Sequence, residues 1–307
     1  MIYDVIIVGG GPAGLASAIY SSKNKLTTLL IEKASCGGKL ANITLLNDYP
    51  GFNGGIQGLE LATRFEQHAR YFGSKIIFDE VVSINNDAEK IKVINTVNKN
   101  SYQGRVIIIA SGTRTRTLNI IGESQFNGKG VSFCAMCDAQ FFKDRDVVVI
   151  GNSSFAIKEA IYLSQCVHSV TIISKYHRLS ANQKLLNKLF SLTNINILYN
   201  TILKKICGTD IVEKVEIYNI CTQQSKYINT NGVFISIGAQ PNSFFVPAII
   251  RDENDYIITN SNLNTSIKGV YACGDVRQNS IKQVITSVAE GIKAAIKAHA
   301  YYIYAFK

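Results

Sequence analysis

Cys134-Ala135-Met136-Cys137-Asp138 sets two thiols three positions apart, with an acid directly after the second. A pair at this spacing closes a small, reducible disulfide, and a thiolate at the start of a helix has its pKa drawn toward the pH at which exchange is fast. An acid at this place can protonate a departing thiolate, with the capping of a helix as the lesser reading. The rival chemistry, half of a zinc site, needs a second Cys or His pair at ligand spacing. His68, His168, His177 and His299 are scattered, so no metal is expected. The other five cysteines (36, 166, 207, 221 and 273) read as small buried hydrophobes of a protein kept in a reducing compartment.

A disulfide that cycles needs a source of electrons, and the elements at the two ends of the chain supply one. Tyr3 to Val8 is an apolar run of buried-strand character, followed by Gly9-Gly10-Gly11-Pro12-Ala13-Gly14 and then Leu15, Ala18 and Ile19 at helical spacing. In this strand, glycine turn and helix, Gly9 allows the tight turn, Gly11 admits a pyrophosphate and Gly14 permits close packing of the helix. A second strand, Thr27 to Ile31, ends in Glu32, near the distance at which an acid meets an adenosine ribose. Near the other end, Gly269 to Asp275 is an apolar strand closing on Gly274-Asp275. Gln283-Val284-Ile285 then opens a helix with Val284, Val288, Ile292 and Ala295 on one face. That arrangement suits a flavin, with the aspartate on ribityl or phosphate-linked hydroxyls and a helix N-terminus toward the reduced ring.

Seven blocks in order carry a resemblance to the low-molecular-weight thioredoxin reductases that runs nearly end to end. They are Gly9-x-Gly11-x-x-Gly14, Gly37-Gly38-Lys39-Leu40, Asn47-Asp48-Tyr49-Pro50-Gly51-Phe52, Ala110-Ser111-Gly112, Ile121-Gly122-Glu123, the Cys134 to Asp138 run, and Gly274-Asp275-Val276. The resemblance implies an α/β protein with two Rossmann-like nucleotide-binding domains. An FAD domain, residues 1–113 and 242–307, is split by an inserted redox domain, residues 114–241. It implies a homodimer that reduces thioredoxin. FAD contacts are implied at Gly9, Gly11, Pro12, Ala13, Gly14, Glu32, Lys33, Gly38, Lys39, Leu40, Asn47, Val81, Ala110, Ser111, Gly112, Gly274, Asp275, Gln283 and Val284. By the same resemblance Cys137 faces the flavin and Cys134 attacks the target disulfide. Met136 stands where the family usually has threonine, a change expected to alter packing beside the disulfide more than its chemistry.

The middle of the chain departs from that family. Asp146 to Ile150 again runs into a glycine, but the turn reads Gly151-Asn152-Ser153-Ser154-Phe155-Ala156, with Ser153 where relatives that use NADPH carry a second glycine. After the strand Val170 to Ile173, those relatives place a His-Arg-Arg-x-x-x-Arg cluster on the 2'-phosphate. This chain has Ser174-Lys175-Tyr176-His177-Arg178-Leu179-Ser180, without paired arginines in register. NADPH is therefore not expected as the donor. The profile resembles the ferredoxin-dependent flavin thioredoxin reductases, which implies an acidic one-electron carrier that loads the flavin twice. Two enzymatic alternatives remain: an NADPH-dependent reductase with an atypical cofactor site, and an oxygen-dependent dithiol oxidase of the same fold. Near-family spacing leaves no insertion for the small-molecule cleft of such an oxidase, and the intact Cys-x-x-Cys-Asp speaks against a non-enzymatic sensor.

Composition sets the outer bounds. The 307 residues, 47% of them hydrophobic, suffice for two domains. No run approaches the roughly 20 apolar residues of a spanning helix, and the first residues lead into a strand without a basic leader, so a soluble, cytoplasmic protein is expected. Of the formal net charge of +10, the segment 114–241 contributes most, with 14 Lys and Arg against 8 Asp and Glu. No arginine cluster interleaved with aromatics appears, which argues against a dedicated nucleic-acid surface. An acidic protein partner and a merely solvated lysine-rich surface both account for the charge. The aromatic end, Tyr301 to Phe306, reads as a helix end packed on the core or a dimer interface, with stacking over a flavin ring as the alternative.

Overall fold

The computed structural model describes residues 1–85 and 90–307. They divide into two compact units, Met1–Arg114 with Gln240–Lys307, and Thr115–Ala239. In chain order, the first unit begins with β1 (Ile2–Val8), α1 (Pro12–Lys23), β2 (Thr28–Glu32), α2 (Gly58–Tyr71), β3 (Lys75–Phe78), β4 (Val81–Asn85), β5 (Lys92–Thr96), β6 (Ser101–Ile109) and β7 (Thr113–Thr115). The second contains β8 (Val131–Ser132), α3 (Ala135–Asp138), β9 (Asp146–Ile150), α4 (Ser154–Leu163), β10 (Ser169–Ile173), α5 (Gln183–Phe190), β11 (Ile195–Leu198), β12 (Thr201–Gly208), β13 (Val212–Asn219), β14 (Gln224–Asn229) and β15 (Gly232–Ile235). The chain closes with β16 (Ala239–Pro241), which pairs with β7, then β17 (Val270–Ala272) and α6 (Val284–Phe306).

The sheet of the first unit runs β3-β2-β1-β6-β5-β4, and β17 pairs with β6. Strands β1, β2, β3, β6 and β17 are parallel, with Ile7 of β1 between Leu30 and Ile108. Val5, Ile6, Ile7, Ile107 and Ile108 are fully buried. Continuous apolar strands of this kind are what a parallel sheet covered on both faces requires. Strands β4 and β5 add an antiparallel extension.

Helix α1 is buried on nearly every side, Leu15, Ala18 and Ile19 among its buried residues. Its neighbour α6 differs from the stripe read in the sequence. Val284, Val288 and Ile292 are only partly buried, whereas Ser287, Gly291, Ala294, Ala295, Ala298 and Tyr302 face inward. The reason is close approach: a Cβ on Gly291 would strike the carbonyl oxygen of Ala13. Only small residues fit a contact that tight, so the branched residues are displaced to the flank. The hydroxyl of Ser17 lies 2.9 Å from the carbonyl oxygens of both Ala13 and Gly291. At the far end of α6, Tyr302 and Phe306 stack 5.7 Å apart, and the Arg105 guanidinium lies 5.9 and 5.7 Å from the two rings. The aromatic end therefore packs on the first unit itself.

The second unit is built on a parallel sheet, β11-β10-β9-β15-β8, with a three-stranded antiparallel sheet β12-β13-β14. Val147 and Val149 of β9 are buried beneath α4, whose Ala156, Ile157 and Ala160 are fully buried, while Val148 is buried on the other face with Leu203, Ile206 and Val215. Both units thus repeat the strand, turn and helix of a Rossmann-like fold. Among the described residues no helix is long and apolar enough to cross a membrane.

Candidate functional site

The first unit gathers its candidate residues around the carboxyl ends of β1, β2, β6 and β17, where open α/β sheets hold their ligands. Gly9 has φ +105°, and a Cβ there would strike the carbonyl oxygen of Ala110; one on Gly14 would strike that of Gly9. Packing within the protein explains both glycines. Gly11 is different, because a Cβ on it would meet nothing within 4 Å. Gly11 caps α1 without a side-chain hydrogen bond and Pro12 follows it, so the amides of the first turn are left for an anion. That open space beside uncapped amides fits a pyrophosphate.

The surrounding residues brace this turn. Glu32 accepts the Gly10 N–H at 2.5 Å and the Ala34 N–H at 3.2 Å, so the carboxylate is oriented by the glycine turn as well as facing its rim. Gly37 donates to the carbonyl of Gly10 at 2.8 Å, which holds the turn carrying Gly38 (φ +53°) against Gly11. Leu40 is buried, and the ammonium of Lys39 donates to Thr113 Oγ1 at 2.5 Å and lies 3.8 Å from Asp275. Burial pulls Lys39 below its usual range, opposed by the charge of Asp275. Gly274 (φ +72°) donates to Glu290 at 2.8 Å, Arg277 pairs with the same carboxylate, and Gln283 forms a capping box with Thr286 at the start of α6 beside Val284. Ser111 Oγ donates to the carbonyl of Asn242 at 2.6 Å, and the Asn242 side chain returns a bond to the Ser111 carbonyl at 2.9 Å, fixing Ala110 and Gly112.

Lys33 is 68% exposed and paired with Glu80 at 2.8 Å, Asn47 is exposed, and Val81 is half-buried at the start of β4. Sequence reasoning missed Asn242, Glu290 and Thr113. Each is a single polar residue far along the chain from its partner, with no local pattern to mark it.

In the second unit Cys134 and Cys137 form a disulfide, with Cα atoms 5.4 Å apart. Cys134 caps the short helix α3, and its sulfur accepts the Cys137 N–H at 3.2 Å. Met136 beside it is 60% exposed. Asp138 accepts from the Ser132 hydroxyl at 2.6 Å, and Ser132 Oγ also accepts the Cys134 N–H at 3.1 Å. Burial pushes the Asp138 carboxyl above the usual carboxylate range, partly opposed by the Ser132 hydrogen bond. From the other side, the Ala135 N–H donates to Glu159 of α4 at 3.0 Å, and Glu159 also accepts from Ser236 at the end of β15. Ser132, Glu159 and Ser236 were not singled out in the sequence.

The turn after β9 carries a different stamp from that after β1. Gly151 has φ +151°, and a Cβ there would come within 2.5 Å of the Ser236 carbonyl oxygen and 2.8 Å of Ala156 Cβ. The one retained glycine is thus required by the protein's own packing. Ser153 stands at the N-cap of α4 and its hydroxyl accepts the Ala156 N–H at 3.4 Å. Ser180 donates to the Asn152 carbonyl at 2.7 Å, and Lys175, His177 and Arg178 are exposed on the loop between β10 and Ser180.

A family profile described as pyridine nucleotide-disulphide oxidoreductase matches residues 3–291. The chain is 37% identical to a thioredoxin reductase of Peptoclostridium acidaminophilum, over 98% of this chain and 97% of that one. It is similar in structure to a thioredoxin reductase of Streptococcus pyogenes, with a TM-score of 0.92, 34% identity and 99% of each chain covered. A ferredoxin-flavin thioredoxin reductase of Clostridium acetobutylicum matches with a TM-score of 0.53 and 30% identity over 98% of this chain and 99% of that one. The profile spans the turn at Gly151 and is named for a pyridine nucleotide, so these likenesses lend no support to the expected loss of NADPH.

Proposed function

We infer the electron path from one premise: the chain belongs to the pyridine nucleotide-disulphide oxidoreductases and, within them, to the thioredoxin reductases, flavoprotein disulfide reductases. FAD is the flavin that family membership implies, and the turn at Gly9, Gly11 and Gly14, Glu32, Lys39, Ser111, Asp275 and the start of α6 would hold it. When bound it supplies a centre that takes up electrons singly or in pairs and gives them up as a pair.

The residues of the second unit carry the exchange. In the reduced dithiol, the Cys134 thiolate attacks a disulfide of thioredoxin, forming a mixed disulfide and releasing one thioredoxin sulfur. Cys137 then attacks Cys134 and expels the second. The internal S–S bond re-forms, two electrons reach thioredoxin, and each departing sulfur takes up a proton. Asp138, held by Ser132 and raised by burial, is the proton source for that departure.

The donor we propose is reduced ferredoxin or an equally acidic one-electron carrier. The observation that carries this reading is Ser153, whose hydroxyl takes a first-turn amide of α4 where the first unit leaves its own uncapped. The absence of paired arginines between Ser174 and Ser180 and the basic excess of the second unit support it. NADPH is the second reading, favoured by the exposed Lys175, His177 and Arg178 after β10. We propose a homodimer as the working assembly. The test is anaerobic: visible flavin absorption is followed after mixing with NADPH and, separately, with reduced ferredoxin. Bleaching by ferredoxin alone, reversed by oxidised thioredoxin, is expected; rapid bleaching by NADPH overturns the assignment of the donor.

A further inference from the structure

The redox helix is held by two carboxyl groups, and the exchange chemistry uses only one of them. Asp138 lies on α3 itself. Glu159 reaches α3 from α4, accepting the Ala135 N–H at 3.0 Å with one oxygen and the Ser236 hydroxyl with the other. Ala135 and Ser236 are each 1% exposed, so the carboxyl is clamped between two buried donors. Ala135 directly follows Cys134, and on the other side the Cys134 N–H is held by Ser132 at 3.1 Å. The backbone of Cys134 is thus pinned before and after the sulfur, first by a neutral hydroxyl and then by an acid.

We propose that Glu159 is a positioning residue of the redox centre, whose carboxylate fixes the Cys134–Ala135 peptide and sets how readily the Cys134 sulfur is held as a thiolate. A negative charge on the peptide beside a sulfur opposes a second negative charge on that sulfur. Opening the disulfide takes one electron pair from the reduced flavin and breaks the S–S bond. The two sulfurs then bind two protons, or one if Cys134 stays ionised, and Glu159 biases this toward two. The thiol so kept gives up its proton on attack, and that proton is taken up by a departing thioredoxin sulfur.

Burial works against the charged form of Glu159 and raises its carboxyl above the usual range. Two hydrogen bonds, from Ser236 and Ala135, favour the charged form, and no charged neighbour contributes. The charged groups on the elements packed against α4 are Asp138 on α3, Asp146 on β9, and Lys184 and Lys188 on α5; β10 carries none. Asp146 is engaged by His168 and Ser169. Lys158 and Tyr162 on α4 itself line an apolar dip with Lys188. The carbonyl of Ser236 also accounts for Gly151, so one residue at the end of β15 closes the glycine turn and clamps the acid.

The inference rests on the disulfide chemistry proposed above but on no donor. The test uses FAD-loaded protein carrying Cys137→Ser, so that Cys134 is the remaining thiol of the pair. Its alkylation by iodoacetamide is followed against pH by mass spectrometry of the peptide that contains it. Adding Glu159→Gln, which keeps an oxygen for the Ala135 N–H but removes the charge, is expected to lower the midpoint by about one pH unit. Glu159→Asp keeps the charge but withdraws it by one methylene, and should fall between the two. Equal midpoints in all three, or a loss of Tm without that order of midpoints, overturn the proposal. If Glu159→Gln does not fold, a Glu159→Asp midpoint equal to the parent's does so alone. Neither ferredoxin, NADPH nor thioredoxin enters the assay, so its failure leaves the donor assignment standing.

Discussion

On the proposed mechanism Cys137 and Asp138 divide the labour at the redox centre, and single substitutions separate their parts. Cys137→Ser should leave a flavin that still bleaches with its donor while thioredoxin reduction disappears; unimpaired turnover in an insulin-coupled assay refutes the mechanism. Asp138→Asn should slow thioredoxin reduction by about 100-fold, the lower range for a lost general acid. The same change has a signature in stability. Burial raises the Asp138 pKa above its ordinary 3.8, so the folded protein keeps this proton at a pH where the unfolded chain has lost it. Stability on this account is highest below 3.8 and declines as pH rises through the shifted value. Asp138→Asn removes that decline, which urea unfolding at about pH 4 and about pH 6 will detect. The disulfide and the neighbouring acid were legible because they lie within one run of five residues. Glu159 and Asn242 were not, because each meets its partner only after distant segments have been brought together by the sheets.

Helices α1 and α6 show what a pattern of residues conveys about an element and what it omits. The period of α6 announced a helix, and its start at Gln283 and Val284 was legible from the change of pattern. Its buried face was not, because hydrophobicity favours valine and isoleucine, while the backbone of Ala13 admits only Gly291 and its small neighbours. Gly291→Ala should therefore destabilise the protein by about 1–3 kcal/mol, the usual cost of overpacking. The same insertion should lower retained flavin, measured as the ratio of visible to ultraviolet absorption after gel filtration. The turn before α4 makes the opposite test. Ser153→Gly frees the Ala156 N–H and, on the proposed reading, should speed NADPH-driven bleaching by about tenfold, the worth of one hydrogen bond.

Taken whole, the molecule repeats one architecture, and the two strand, turn and helix segments at Gly9 and Gly151 made that repetition readable. The charge is not shared evenly between the segments: residues 114–241 hold 14 basic and 8 acidic side chains. Turnover driven by an acidic carrier should fall by about tenfold or more between low and high salt at constant pH, as steering is screened. A salt-independent rate counts against electrostatic capture. The carboxyl half of β6 also has a history written into its pairing. Ile107, Ile108 and Ile109 take β17 as a neighbour, and Ala13 takes Gly291. On the ribosome, more than half of the chain is made after Ile109 before those partners emerge. The first sheet must wait through that interval with part of a strand unpaired, and the flavin cradle cannot close until α6 has been synthesised. Cofactor capture therefore waits for α6, and a ribosome stalled after the second unit would display a nascent sheet with part of β6 unpaired, the kind of exposed edge that chaperones shield.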